Sequence, residues 1–232
     1  MHIAVISDLH LGQGGPTDAF EHEDSEFLKF LGFLESNFEK IVLLGDIWET
    51  LTAKSPLGQA AELQAAQKHH EEIFKRFQRP SYSYVHGNHD LVAGKAMRAP
   101  EELMLDADGV RVLLCHGHQG DRLCTHGRPL SEFGVWLGAW LRRLGLGHLY
   151  EYFAGLERAR SERPEDCHVR RWAQSQTMAR DVDIVITGHT HVAAKSELEG
   201  RLFLNSGTCS NGAISFLALD TRRHRYEIHH GY

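Results

Sequence analysis

A chain of 232 residues, 42% hydrophobic and 24% charged, has the length of one large domain or two small ones and the composition of an ordinary globular protein. Its formal net charge of −6 argues against a broad basic surface for non-specific nucleic-acid binding. No stretch approaches the ~20 consecutive apolar residues that a membrane-spanning helix needs.

The 17 histidines are the informative part of the composition, because many stand beside Gly and Asp, and histidine is the commonest metal ligand. The four cysteines, Cys115, Cys124, Cys167 and Cys209, form no C-x-x-C pair, which favours reduced thiols and a cytoplasmic setting. A strand-like run that starts at Ile3 leaves no room for a signal sequence ahead of it.

The first predicted element is Ile3-Ala4-Val5-Ile6, a buried strand ending in Ser7-Asp8-Leu9-His10. Asp8 and His10 are two apart, so an extended chain points both side chains the same way. A helix over residues 25–39 has Phe27, Phe30, Leu31 and Leu34 on one face. The strand Ile41-Val42-Leu43-Leu44 follows and ends in Gly45-Asp46-Ile47-Trp48-Glu49, completing a βαβ unit. The ligand rule for open α/β sheets then brings Asp8 and Asp46 to the same carboxyl edge.

A second helix is predicted over residues 59–78, and a strand over residues 82–86 ends in Gly87-Asn88-His89-Asp90. After a loop containing Pro100, the strand at residues 110–115 ends in His116-Gly117-His118. Residues 122–180 differ in composition: they hold ten arginines, no lysine and six acidic residues, a local balance of +4 within a chain of −6. Helices are expected there around 131–144, 148–160 and 165–180, separated by Gly145, Gly147 and Pro164. A basic, aromatic, helical insert in an acidic α/β protein reads as a cap over an active site. The sheet resumes at Asp183-Ile184-Val185-Ile186-Thr187, which ends in Gly188-His189-Thr190-His191. Short strands are expected at 201–204, 213–219 and 225–230.

Five strand ends thus carry D-x-H, G-D, G-N-H-D, H-G-H and G-H-T-H, in that order. With these motifs the chain resembles the calcineurin-like metallophosphoesterases from Asp8 to His191. The resemblance implies an α/β fold, a four-layer sandwich of two mixed β-sheets flanked by helices, in one domain over residues 1–232 with the helical cap inserted at 122–180. It implies two divalent metal ions. Asp8, His10 and His191 would hold one, Asn88, His116 and His189 the other, and Asp46 would bridge them. Mixed oxygen and imidazole donors suit Mn²⁺ first, with Fe²⁺ or Zn²⁺ as alternatives. The implied reaction is hydrolysis of a phosphoester or phosphoanhydride by a metal-activated hydroxide. His89 matches the family's catalytic histidine, and Glu49 stands where relatives carry an acid that orients it.

The Gly45–Glu49 motif and the insert after His116-Gly117 further resemble the UDP-2,3-diacylglucosamine pyrophosphohydrolases, which implies a phosphorylated small-molecule or lipid-linked nucleotide substrate; the acidic net charge argues against a nucleic-acid partner. Arg122, Trp136 and Arg171 are the candidate substrate contacts. Phe133, Trp136, Leu137, Trp140 and Leu144 fall at helical spacing and could line an acyl groove or pack the cap internally; a cap of this kind allows peripheral membrane contact. The chain departs from those enzymes in having G-N-H-D for G-N-R-D and H-G-H for H-G-D, which keeps open a phosphatase or phosphodiesterase acting on a nucleotide or another small phosphoester. A nuclease and a non-catalytic scaffold are the remaining readings; the acidic remainder of the chain argues against the first and the complete ligand set against the second.

Overall fold

Strand β1 (His2–Ile6) is buried on both faces, and each face meets a different core. Ile3 and Val5 join Val112, Leu114, Ile184, Ile186 and Leu204, whereas Ala4 and Ile6 join Phe27, Phe30, Leu31 and Leu34. A strand covered on both sides reads as an unbroken apolar run, which is why this one shows no alternation. The structure is a computed structural model that describes residues 1–55, 57–146 and 168–232.

The first sheet has the order β10 (Arg225–His230), β9 (Ser215–Asp220), β1, β2 (Lys40–Leu44), β3 (Tyr82–Val85). Its β1, β2 and β3 run parallel, and β9 and β10 pair antiparallel. The second sheet has the order β4 (Glu102–Ala107), β5 (Val110–Cys115), β6 (Ile184–Thr187), β8 (Arg201–Asn205), β7 (Ala194–Leu198). Here β5, β6 and β8 are parallel, and the two outer strands antiparallel. The sheets stack on a shared apolar core.

Helices α1 (Asp24–Asn37), α2 (Gln59–His69), α3 (Glu71–Phe77) and α4 (Leu91–Met97) cover the outside of the first sheet. After a 3₁₀ turn at His118–Gly120 come α5 (Arg122–His126), α6 (Arg128–Arg143) and α7 (His168–Ala179). The last of these packs Ala173 against Leu113, Val185 and Phe203 on the outside of the second sheet. Two mixed sheets between helical layers are the expected four-layer α/β sandwich.

The elements depart from expectation where local anchoring or weak patterning decides. The helix predicted over 59–78 breaks at His70, whose ring is buried against Phe20 and whose Nδ1 lies 2.7 Å from Asp24 Oδ1. The unpredicted β4 and β7 are edge strands; in β4 only Leu103, Leu105 and Ala107 turn inward. The helix predicted at 148–160, the beginning of that at 165–180 and the fourth cysteine, Cys167, lie outside the described residues.

Phe27 is fully buried, with ring centroids 4.9 Å from Phe20 and 5.6 Å from Phe30. Phe27→Ala is expected to lower unfolding free energy by about 3–5 kcal/mol. A urea titration would show this as a lower midpoint at unchanged slope; a midpoint within error of the parent would mean that the helical layer adds little to the fold.

Candidate metal centre

Parallel pairing brings the carboxyl ends of β1, β2 and β3 to one edge, and their continuations stay in register beyond the strands. Asp8 N–H donates to Gly45 O (3.1 Å), His10 N–H to Asp46 O (3.0 Å) and Leu11 N–H to Ile47 O (2.9 Å). The second sheet joins at the same edge: Gly188 N–H donates to His116 O at 2.9 Å, and His189 N–H to Asp8 Oδ2 at 3.1 Å. Gly87 is required by crowding, because a Cβ there would run into the Asp46 carboxylate and the His116 ring.

Five of the predicted ligands adopt the left-handed region that non-glycine residues rarely occupy: Asp8 (φ 54°), His10 (52°), Asp46 (51°), His189 (68°) and His191 (60°). Each costs on the order of 1 kcal/mol or more, so the surrounding loops must hold it there.

The donors fall into two groups, Asp8, His10 and His191, and Asp46, His116 and His189, each with ligand atoms within 4.8 Å of one another. Asp8 Oδ1 is 3.2 Å from His191 Nε2, and Asp46 Oδ2 is 3.0 Å from His116 Nε2. His116 Nδ1 faces the Leu44 carbonyl at 2.9 Å; an oxygen there only accepts, so Nδ1 carries a proton and a neutral ring turns the Nε2 lone pair toward Asp46. Lone pairs that face a carboxylate need a proton or a cation between them. Among the described residues, Asp8 Oδ1, Asn88 Oδ1 and His116 Nε2 are buried without a hydrogen-bond partner. The charges respond accordingly: burial pushes the Asp46 carboxyl up, but His116 and His89 outweigh this and hold it well below the usual range. Burial pushes His116 down, and Asp46 and Asp8 raise it above the ordinary imidazole value. Buried, mutually facing oxygen and nitrogen donors fit a pair of divalent cations.

Glu49 contacts the histidines of the first and third motifs. Its Oε2 is 2.8 Å from His89 Nδ1 and 3.1 Å from His10 Nδ1, and its Oε1 accepts from Leu51 N–H at 2.9 Å. Burial works against its charge, but His89 and His10 bring it down to about 2. Burial likewise works against protonated His89, yet Glu49 and Asp46 raise that imidazole to about 10. The His89 backbone is fixed on both sides, its N–H donating to Asp46 Oδ1 at 2.8 Å and its carbonyl accepting from Thr50. The contact between Glu49 and His10 was not foreseen from the sequence.

Sequence reasoning also missed Asp90. It accepts from Gly87 N–H (2.6 Å), Ile47 N–H (2.7 Å), Trp48 N–H and the Tyr84 hydroxyl, tying the β2 and β3 loops together. It was in view as the last residue of G-N-H-D. Asp121 was missed too; its Oδ2 lies 3.2 Å from His189 Nε2, and Cys124 Sγ lies 4.0 Å from the same nitrogen. His118 has its ring 5.6 Å from His116, and burial and His116 push it down to about 3. With Asn88, Leu51, Leu91, Glu101 and Arg128 it lines a cavity of about 230 Å³.

Trp136 runs along α6 between Phe133 (5.7 Å) and Trp140 (6.1 Å), with Phe133, Leu137, Trp140 and Leu144 exposed. Arg171 is exposed on α7. Arg122 opens α5, and its side chain lies outside what the structure describes. Arg143 at the end of α6 donates to the Thr52 carbonyl, which links this helix to the loop that carries Glu49.

Comparison with known proteins identifies the family. The family model for calcineurin-like phosphoesterase matches residues 1–193. The UDP-2,3-diacylglucosamine hydrolases of Serratia proteamaculans and of Shigella dysenteriae serotype 1 are each 29% identical over 217 residues, 85% of this chain and 85% of theirs. That of Ralstonia nicotianae is 29% identical over 154 residues, 62% of this chain and 53% of the relative. Among solved structures, Vps29 of Chaetomium thermophilum (13% identity, TM-score 0.50, 100% of this chain and 94% of that one) shares the fold. So does a single mutant of Entamoeba histolytica Vps29 (16%, TM-score 0.50, 100% of both chains). With the family's match spanning most of the sequence and both donor groups assembled at one sheet edge, the chain belongs to the calcineurin-like phosphoesterase family and is a metal-dependent phosphohydrolase.

Proposed function

We propose that the chain holds two divalent cations, Mn²⁺ ahead of Fe²⁺ or Zn²⁺, and cleaves the pyrophosphate of a UDP-linked acylated sugar. The observation that carries the metal assignment is the pair of donor groups, Asp8, His10 and His191, and Asp46, His116 and His189. Asp8, His10 and His191 would hold one ion, Asn88, His116 and His189 the other, and Asp46 would be shared by both. When bound, the cations supply an activated water and offset charge on the phosphoryl oxygens.

The chain's own residues supply the rest. His89, fixed at Nδ1 by Glu49, presents Nε2 to a phosphoryl or leaving oxygen and holds a proton there. Glu49 orients His89 and His10 together and balances their charge. In the described part of the proposed cap, the α6 face of Phe133, Trp136, Leu137, Trp140 and Leu144 is the surface that would receive acyl chains, and Arg122 and Arg171 are the proposed phosphate contacts. The substrate reading rests on likeness to the hydrolases that span 85% of this chain. No described helix is long and apolar enough to cross a membrane; we place the protein in the cytoplasm, with the cap touching the bilayer that holds such a substrate.

A second reading, a phosphatase or phosphodiesterase for small esters, is favoured by His89 standing where the lipid enzymes carry Arg. Incubating the Mn²⁺-loaded protein with UDP-2,3-diacylglucosamine separates the two. The lipid reading expects UMP and an acylated sugar phosphate, and chelation of the metal stops their release. Turnover of aryl phosphates alone would establish the second reading, and no hydrolysis of either would refute both.

A further inference from the structure

The segment after β5 supplies a set of donors that the reaction does not use. Asp121 Oδ2 (3.2 Å) and Cys124 Sγ (4.0 Å) both face His189 Nε2, and the three donor atoms lie within 4.8 Å of one another. Donors at ~2.0–2.3 Å from a tetrahedral ion stand ~3.3–3.8 Å apart, so sub-ångström movements complete a coordination shell. Cys124 lines the cavity that contains Asn88, which gives a dissolved ion a path to it. A thiolate is the donor that Mn²⁺ disfavours and that Zn²⁺ and Cd²⁺ prefer, so this corner differs chemically from the oxygen and imidazole groups beside it. His189 belongs to both sets.

We propose that Asp121, Cys124 and His189 form a site for a soft divalent cation, distinct from the Mn²⁺ pair, and that filling it engages His189 and inhibits turnover. Three protein donors leave one tetrahedral position to water. The incoming ion displaces the thiol proton to solvent, and no electron is transferred. A simpler role for this corner, Asp121 orienting His189 through a hydrogen bond, has no use for the thiol. A change at Cys124 therefore separates the two. The inhibition rests on the dinuclear reading above; the site does not.

The test uses the full chain carrying Cys167→Ser, with Mn²⁺ present, titrated with Cd²⁺ while the ultraviolet thiolate-to-cadmium band is followed. The band is expected to saturate at one equivalent, to vanish in Cys124→Ser, and to form more weakly in Asp121→Asn, which keeps the thiol. Inhibition of aryl phosphate turnover, each variant measured against its own cadmium-free rate, is expected to need more Cd²⁺ in Cys124→Ser by a factor above the roughly 10–100-fold that changes outside a ligand shell cost. An undiminished band in Cys124→Ser overturns the site. A band that is lost while inhibition stays unchanged overturns the inhibitory role. A protein that hydrolyses nothing would sink the proposed function, while the absorption titration still decides the site.

Discussion

Asp46→Asn is expected to abolish turnover and to lower metal content at both positions while the chain stays folded. The carboxylate is fully committed: Oδ1 accepts the His89 N–H at 2.8 Å, and Oδ2 stands 3.0 Å from His116 Nε2. Asparagine is nearly isosteric and keeps one oxygen for the His89 N–H, so the β3 loop retains its anchor. What it loses is the negative charge and the second oxygen. In their place an NH₂ group points hydrogens at the lone pair of His116 and at any cation beside it. Two dications close together repel, and a shared carboxylate offsets that repulsion for both. The loss should exceed the on the order of 10–100-fold that changes outside the ligand shell cost. Metal content measured by emission spectroscopy, alongside turnover of an aryl phosphate, checks this. Full metal content at parental rate would remove Asp46 from between the two ions.

The parts legible in the sequence are those in which burial and chemistry share one short run. β1 and β2 are apolar from their second residue on because both faces are covered there, and each is followed two residues later by a buried aspartate. The edge strands β4 and β7 were not legible, since solvent on one side leaves them polar residues that also suit loops. The ligands were found by residue type and spacing, but their means of convergence was not: the left-handed backbone at Asp8, His10, Asp46, His189 and His191 belongs to residues with no intrinsic demand for it. Spacing suggested that Asp8 and His10 point together from an extended chain, whereas both meet the donors from left-handed turns. Asp121 reaches His189 only because the chain reverses at Gly117 (φ 106°) and passes through a 3₁₀ turn, a contact 68 residues apart that no local pattern encodes.

His89→Ala tests the division between residues that hold cations and the one that handles a proton. His89 lies outside the two proposed ligand sets, although it converges with His10 and Glu49 within 4.8 Å. In that third group the Glu49 oxygen is already engaged by both imidazoles, at 2.8 and 3.1 Å, so the cluster closes on itself through hydrogen bonds. Removing the ring should therefore cut turnover on the order of 10²–10⁴-fold and leave metal content near parental. Glu49 provides the companion test. Its charge favours protonated His89, raised to about 10 against the opposing effect of burial. With the folded pKa raised, the proton is present below it and lost as pH rises through it; removing the charge lowers that threshold. Glu49→Gln should thus move the alkaline limb of the pH–rate profile to lower pH, a shift that His89→Ala abolishes along with the limb itself. If His89→Ala loses metal in proportion to activity, or Glu49→Gln leaves the limb in place, the histidine is a structural member of the cage and the proton comes from elsewhere.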